Sequence, residues 1–188
     1  NWPSHYNLGV AWYEKEKFDD AVLQFEQVLK IKPDHAGTRN NLANILFDRG
    51  QFKEATLQLK EALRYKPHDA DICNNLAVVL VSQKKFKEAA SLFKQAIRIN
   101  SEYADAHFNL GSLLARQGKF KSAGRHCAEA IRIKPDYAEA YYQIGNILTQ
   151  QGKLKEANIF FSKGIQLNPN YIDGCKQVVR SHLKGKAR

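Results

Sequence analysis

Apolar side chains along this chain fall at i, i+3 or i+4, and i+7 within segments of about 13 residues, the spacing of one face of an α-helix. Short polar breaks rich in Lys, Gly, Gln and Pro separate the segments. The pattern recurs at a fixed interval of 34 residues. Aligned on Leu8-Gly9, the same pair type returns as Leu42-Ala43, Leu76-Ala77, Leu110-Gly111 and Ile144-Gly145. A large apolar residue follows (Trp12, Leu46, Leu80, Leu114, Leu148), then an alanine in every unit (Ala21, Ala55, Ala89, Ala123, Ala157). Phe25, Leu59, Phe93, Cys127 and Phe161 come next, then Val28, Ala62, Ala96, Ala130 and Gly164. The units close at Pro33, Pro67, Ser101, Pro135 and Pro169.

Each unit therefore reads as two helices, with a break near Gln51, Gly118 or Gly152 turning the chain between them. The small second residue of the Leu-Gly or Leu-Ala pair lets the two helices approach closely. Lys-Pro-Asp at 32–34 and 134–136 ends a second helix and offers Asp34 and Asp136 as caps for the next first helix. One hairpin alone leaves its apolar face in water, so the units must stack. The expected units are 2–35, 36–69, 70–103, 104–137 and 138–171. Residues 172–188 read as a capping helix and a basic tail. Ile172, Cys175, Val179 and Leu183 form one stripe there, and Lys184, Lys186 and Arg188 trail behind it. Val178-Val179 stand where the other units have Leu-Gly or Leu-Ala, and a β-branched residue hinders close helix approach.

These positions resemble the tetratricopeptide repeat family, and the resemblance covers residues 2–171 without insertion. Ser101, Cys127 and Gly164 depart from the usual residues. The resemblance implies an all-α fold, a right-handed α-solenoid of five helical hairpins whose first helices line a concave side. It also implies a protein–protein interaction module or scaffold with no enzyme activity and no cofactor.

Within each first helix, positions 7, 8 and 11 of the repeat build the core, so the stripe at positions 2, 6, 9 and 13 faces the groove. Position 6 holds Asn7, Asn41, Asn75, Asn109 and Gln143, a ladder of primary amides, and position 9 adds Asn44, Ser112 and Asn146. A primary amide both donates and accepts, so such a ladder can hold the backbone of an extended peptide without reading its side chains. The peptide-binding superhelix of O-GlcNAc transferases carries a similar asparagine ladder. Five hydrogen bonds netting about 1 kcal/mol each give about 5 kcal/mol, and ordering the peptide takes back part of that, which leaves roughly millimolar binding. Side-chain pockets must add to that. Tyr6, Tyr13, Phe47, Phe108 and Tyr142 adjoin the ladder and compete for that role with plain core packing.

The groove stripe carries Glu14, Asp48, Asp71, Asp105 and Glu139 against Arg116, although the whole chain has a formal charge of +10. The excess Lys and Arg therefore belong to the outer face, the turns and the tail. This favours a neutral or weakly basic peptide in the groove. It weighs against the family's carboxylate-clamp subtype, whose position 5 lysine is replaced here by Tyr6. Scattered lysines read as a solvated surface and weigh against nucleic acid and membrane as partners.

The chemistry of catalysis is not spelled out. The six histidines make no His-x-x-x-His pair with an intervening acid, no glycine-rich phosphate loop occurs, and Cys73, Cys127 and Cys175 lack metal or redox spacing. His107, at position 4, reads as an inter-repeat packing residue. Three separated cysteines suit reduced, buried thiols and a cytoplasmic setting. No apolar run approaches the ~20 residues of a membrane span. The chain begins at Asn1 and contains no Met, which reads as an excised domain or a processed chain. Two further readings stand beside peptide recognition. One is a scaffold that self-associates as a homo-oligomer, motivated by Trp2 and Trp12 near the first repeat's outer edge. The other is the substrate-recruiting repeat region of a larger enzyme.

Overall fold

The computed structural model describes residues 1–175. It divides into two compact units, Asn1–Asn100 and Ser101–Arg188, the second described to Cys175. The first unit holds α1 (Trp2–Glu14), α2 (Phe18–Ile31), α3 (Ala36–Asp48), α4 (Phe52–Tyr65), α5 (Ala70–Ser82) and α6 (Phe86–Ile99). The second holds α7 (Ala104–Arg116), α8 (Phe120–Ile133), α9 (Ala138–Gln150) and α10 (Leu154–Leu167), followed by a 3-10 turn over Pro169–Tyr171. Residues 172–175 are helical. Val179 and Leu183 of the expected capping helix, and the basic tail, lie outside the described residues. Every described element is helical, so the all-α fold expected from the pattern is the fold observed.

Each odd-numbered helix pairs with the helix that follows it, giving five hairpins. The turn inside every hairpin uses one left-handed residue at the same place in the 34-residue interval: Glu16, Gly50, Lys84, Gly118 and Gly152, with φ between 58° and 79°. The residue after it donates its N–H to the position-11 carbonyl, as in Gln51 N to Leu46 O at 2.8 Å and Lys153 N to Leu148 O at 2.9 Å. This six-to-one bond satisfies an otherwise orphaned helix carbonyl. Gly50, rather than Gln51, is thus the reversal point, and Gln51 begins α4 as its N-cap.

Ala21, Ala55, Ala89, Ala123 and Ala157 are all 0% exposed, because there the two helices of each hairpin touch. Gly145 shows how close they come. A Cβ built on it would sit 2.4 Å from Phe161 Cε1, and one on Gly9 would sit 2.6 Å from Phe25 Cε1. In the fourth hairpin a Cβ on Gly111 would sit 2.7 Å from Cys127 Sγ, so the smaller cysteine fills the place of the ring. Burial pushes the Cys127 thiol up to about 12, which makes it a small apolar group rather than a nucleophile.

Two local expectations are corrected. Asp34 and Asp136 do not cap the following helices. His35 caps α3, its Nδ1 accepting from Thr38 N at 3.1 Å, and α9 starts at Tyr137 with no side-chain cap. The helix begins one residue later than Lys-Pro-Asp suggests, which moves the capping position from 34 to 35. Asp69 does cap α5, accepting from Ile72 N at 3.1 Å. His107 is buried on α7 against His126 of its own hairpin, and its Nε2 also meets the Ser101 carbonyl of the preceding 70–103 repeat.

Cys175 is buried against Ala157, Phe161, Tyr142 and Tyr171, so the segment after α10 covers part of the last hairpin. Ile172 of the same stripe remains 37% exposed.

Candidate peptide-binding face

Within the first unit α3 touches α5, and within the second α7 touches α9, so first helices lie side by side and their polar stripes form a shared face. Asn7 is exposed on α1, while Asn41, Asn44 and Asn75 are half-buried. The amides are not all idle. Asn75 Nδ2 donates to Asn40 Oδ1 of the previous hairpin at 3.0 Å and its Oδ1 accepts from Asn74 at 3.4 Å. That rung is braced in orientation, and its oxygen keeps a second lone pair for a ligand.

In the second unit Asn109, Gln143 and Asn146 are half-buried. Gln143, Asn146 and Arg116 line one cavity of about 380 Å³ between α7 and α9, together with Ala115, Phe120, Ile147 and Gln150. Two oxygens on this stripe, Ser112 Oγ and Asn146 Oδ1, are buried and find no partner among the described residues. They occupy the same repeat position on α7 and α9. A buried acceptor without a donor costs roughly 1–3 kcal/mol. Both oxygens are closed off from solvent in this conformation, so a ligand N–H reaches them only when neighbouring side chains move.

All five aromatic candidates are engaged with other rings, Tyr13 with Phe18 at 5.7 Å and Phe47 with Phe52 at 5.5 Å between centroids. Tyr6 meets His35 edge-on at 4.9 Å between ring centroids and lies 6.3 Å from Phe25. Phe108 lies 5.0 Å from Tyr137, and Tyr142 stacks on Tyr171 at 5.0 Å. Tyr6, Phe108 and Tyr142 are half-buried, so an edge of each remains available to a ligand.

The charge pattern differs from what the sequence stripe suggests. Tyr137 donates its hydroxyl to Asp105 at 2.7 Å, and the Tyr171 phenol faces the Glu139 charge. Both phenols are driven to higher pKa, first by burial and then by these carboxylates. Asp105 is therefore held in place by a neutral donor while keeping its negative charge. In the first unit the Asp48 carboxylate, after burial, raises the Tyr13 phenol. The sequence carried a signal for the tyrosine locks: an acid at position 2 and a tyrosine at the last position of the same repeat, as at 105 and 137 and at 139 and 171. The orphaned oxygens had no such signal, since only packing decides which polar atoms lose water.

Among the described residues no group of three or more His, Cys, Asp or Glu is arranged to hold a metal, and no helix is long and apolar enough to cross a membrane. Stacked helical hairpins with a recurrent polar inner stripe define a helical-repeat protein. Tetratricopeptide-repeat models match residues 13–72, 79–118, 104–137 and 138–171. The chain belongs to the tetratricopeptide repeat family. No curated protein matches it. Among solved structures it is similar to MamA, at 26% identity and TM-score 0.73, covering 88% of this chain and 97% of that one. It shares its fold with TTC0263 of Thermus thermophilus, at 24% identity and TM-score 0.77, covering 97% and 99%. It also shares the fold of YrrB, a tetratricopeptide-repeat protein with an unusual peptide-binding site, at 21% identity and TM-score 0.69, covering 98% and 91%. Proteins of this family are generally interaction modules that bind protein partners.

Proposed function

We propose that this chain is a peptide-recognition module whose first helices hold an extended segment of a partner protein, and that it catalyses nothing itself. The observation that carries the reading is the row of amides and orphaned oxygens on the first helices, with Gln143, Asn146 and Arg116 lining a cavity beside them. An extended peptide alternates N–H and C=O groups. It can pair with the half-buried amides, which both donate and accept, while a side chain enters the cavity. The carboxylates of the stripe, Glu14, Asp48 and Asp71 on the first unit and Asp105 and Glu139 on the second, suit a neutral or weakly basic peptide. A cytoplasmic setting fits the three buried, unpaired thiols.

The test is a peptide-display selection on the chain, repeated with Asn146→Ala and Gln143→Ala. Enrichment of a sequence motif by the native chain, weakened by either substitution, is the expected result. Enrichment unaffected by both would place recognition elsewhere.

One observation favours self-association as a second reading. Leu8 is 43% exposed on α1, while its counterparts Leu42 and Leu76 in the same unit are 8% and 3% exposed under the preceding hairpin. Trp2 and Trp12 lie on the same helix, with Lys32 and Lys17 ammonium groups over their rings at 4.6 and 4.7 Å. Sedimentation of Leu8→Lys against the native chain tests it. An interface on α1 predicts a concentration-dependent mass in the native chain only.

A further inference from the structure

Several hairpins join their two helices through the same pair of positions, 19 residues apart. Hairpin one places His5 Nδ1 on Gln24 Oε1 at 2.8 Å, and hairpin two places Arg39 Nη1 on Gln58 Oε1 at 2.8 Å. Hairpin five sets the Tyr141 ring near Phe160, 6.4 Å between centroids. These are complementary pairs, a donor with an acceptor or ring with ring. Hairpin four instead puts two imidazoles there. His107 Nδ1 and His126 Nδ1 face each other at 3.3 Å.

The His107 Nε2 lies 3.2 Å from the Ser101 carbonyl. A carbonyl only accepts, so Nε2 carries the proton and, in the neutral ring, Nδ1 presents a bare lone pair. That arrangement, one ring nitrogen donating to a backbone carbonyl while the other points at a second nitrogen, is how metal-binding histidines are oriented. The separation also fits. Two nitrogens each 2.0–2.1 Å from a tetrahedral zinc stand ~3.3 Å apart. The pair borders an open cavity of about 380 Å³ lined by Ser122, Arg125 and Glu129, wide enough for water to complete a coordination shell. Glu129 lies one turn beyond His126 on α8 and brings a carboxylate to the wall, held at 2.7 Å by Arg132. The exposed Arg125 is the one cation among the described residues of this wall, and its guanidinium lies 3.5 Å from Ser122 Oγ.

We propose that His107 and His126 form a two-imidazole site for a divalent transition-metal ion of the zinc, nickel and copper class, with water in the remaining positions. The ion takes the Nδ1 lone pairs of both rings, and the proton that His126 Nδ1 shares with His107 moves to the Nε2 of the His126 ring. No group of three or more protein donors closes on an ion among the described residues, so the site is an open one. A hydrogen bond between two neutral rings would also give 3.3 Å, and titration separates the two cases.

The experiment titrates the full chain with nickel chloride by calorimetry, alongside His126→Gln and His107→Gln, with helicity followed by circular dichroism. His126 is only partly buried, so His126→Gln decides the matter even if loss of the buried His107 unfolds the hairpin. The expected result is one equivalent bound by the native chain at least tenfold more tightly than by His126→Gln. Imidazole ¹⁵N spectra should show both Nδ1 resonances shifting together on addition of zinc. Equal binding by His126→Gln, or no binding by the native chain, would overturn the assignment.

Discussion

His35 caps α3 with an imidazole, and a capping imidazole works only while its Nδ1 is unprotonated. Burial first, and then the Lys32 and Lys66 ammonium groups, hold its pKa below the usual histidine value, against an opposing pull from Asp34. The folded chain therefore prefers neutral His35. Its contribution is complete above about pH 6.5, the unfolded value, and is lost as pH falls through the lower folded value. Between pH 7.5 and pH 5 the urea midpoint should fall more for the native chain than for His35→Asn, which keeps a cap without titrating there. His35→Ala should cost about 1 kcal/mol at neutral pH. The glycines give a sharper contrast. Gly145→Ala drives a Cβ into the Phe161 ring and should cost about 1–3 kcal/mol. Gly124→Ala on α8 meets nothing within 4 Å and should gain up to about 1 kcal/mol. Thermal melts of the two variants check both signs. The role of Gly145 is legible in the sequence, because its place opposite the Phe161 position recurs in the repeat. The His35 cap is not, because which residue caps depends on where the helix starts, and a shift of one position changes the answer.

At the scale of elements, neighbouring hairpins are tied by polar locks as well as by packing. Gln83 at the end of α5 donates to Phe52 O at 2.7 Å and to Thr56 Oγ1 at 2.9 Å, both at the start of α4. Gln83→Ala should lower stability by about 1–2 kcal/mol and raise amide exchange at the α4–α5 contact first. Tyr137→Phe removes the donor to Asp105 and returns that carboxylate to the face. Binding of a basic peptide there should tighten, which calorimetry can read. Helix number, hairpin pairing and the identity of the inner stripe all follow from the 34-residue period. The pairings at separations of 19 and 32 residues do not, since they depend on how far side chains reach between helices. For that reason the sequence shows the carboxylates of the stripe but not the tyrosine hydroxyl that orients Asp105 in the fold.

For the molecule as a whole, the formal charge of +10 and the chemistry of the proposed binding face point in different directions. The first-helix stripe carries amides, carboxylates and aromatic edges, while lysines gather in the turns and helix ends. Attraction through those lysines would be screened by salt within roughly 10 Å at 0.1 M. Contact with half-buried amides would persist. The decisive measurement is the affinity of a selected peptide for the native chain and for the Asn41→Ala, Asn75→Ala, Asn109→Ala triple variant at moderate salt. Three rungs at about 1 kcal/mol each predict a loss of roughly 100-fold, with helicity unchanged. Equal affinity for the two proteins would rule out the amide face as the binding site.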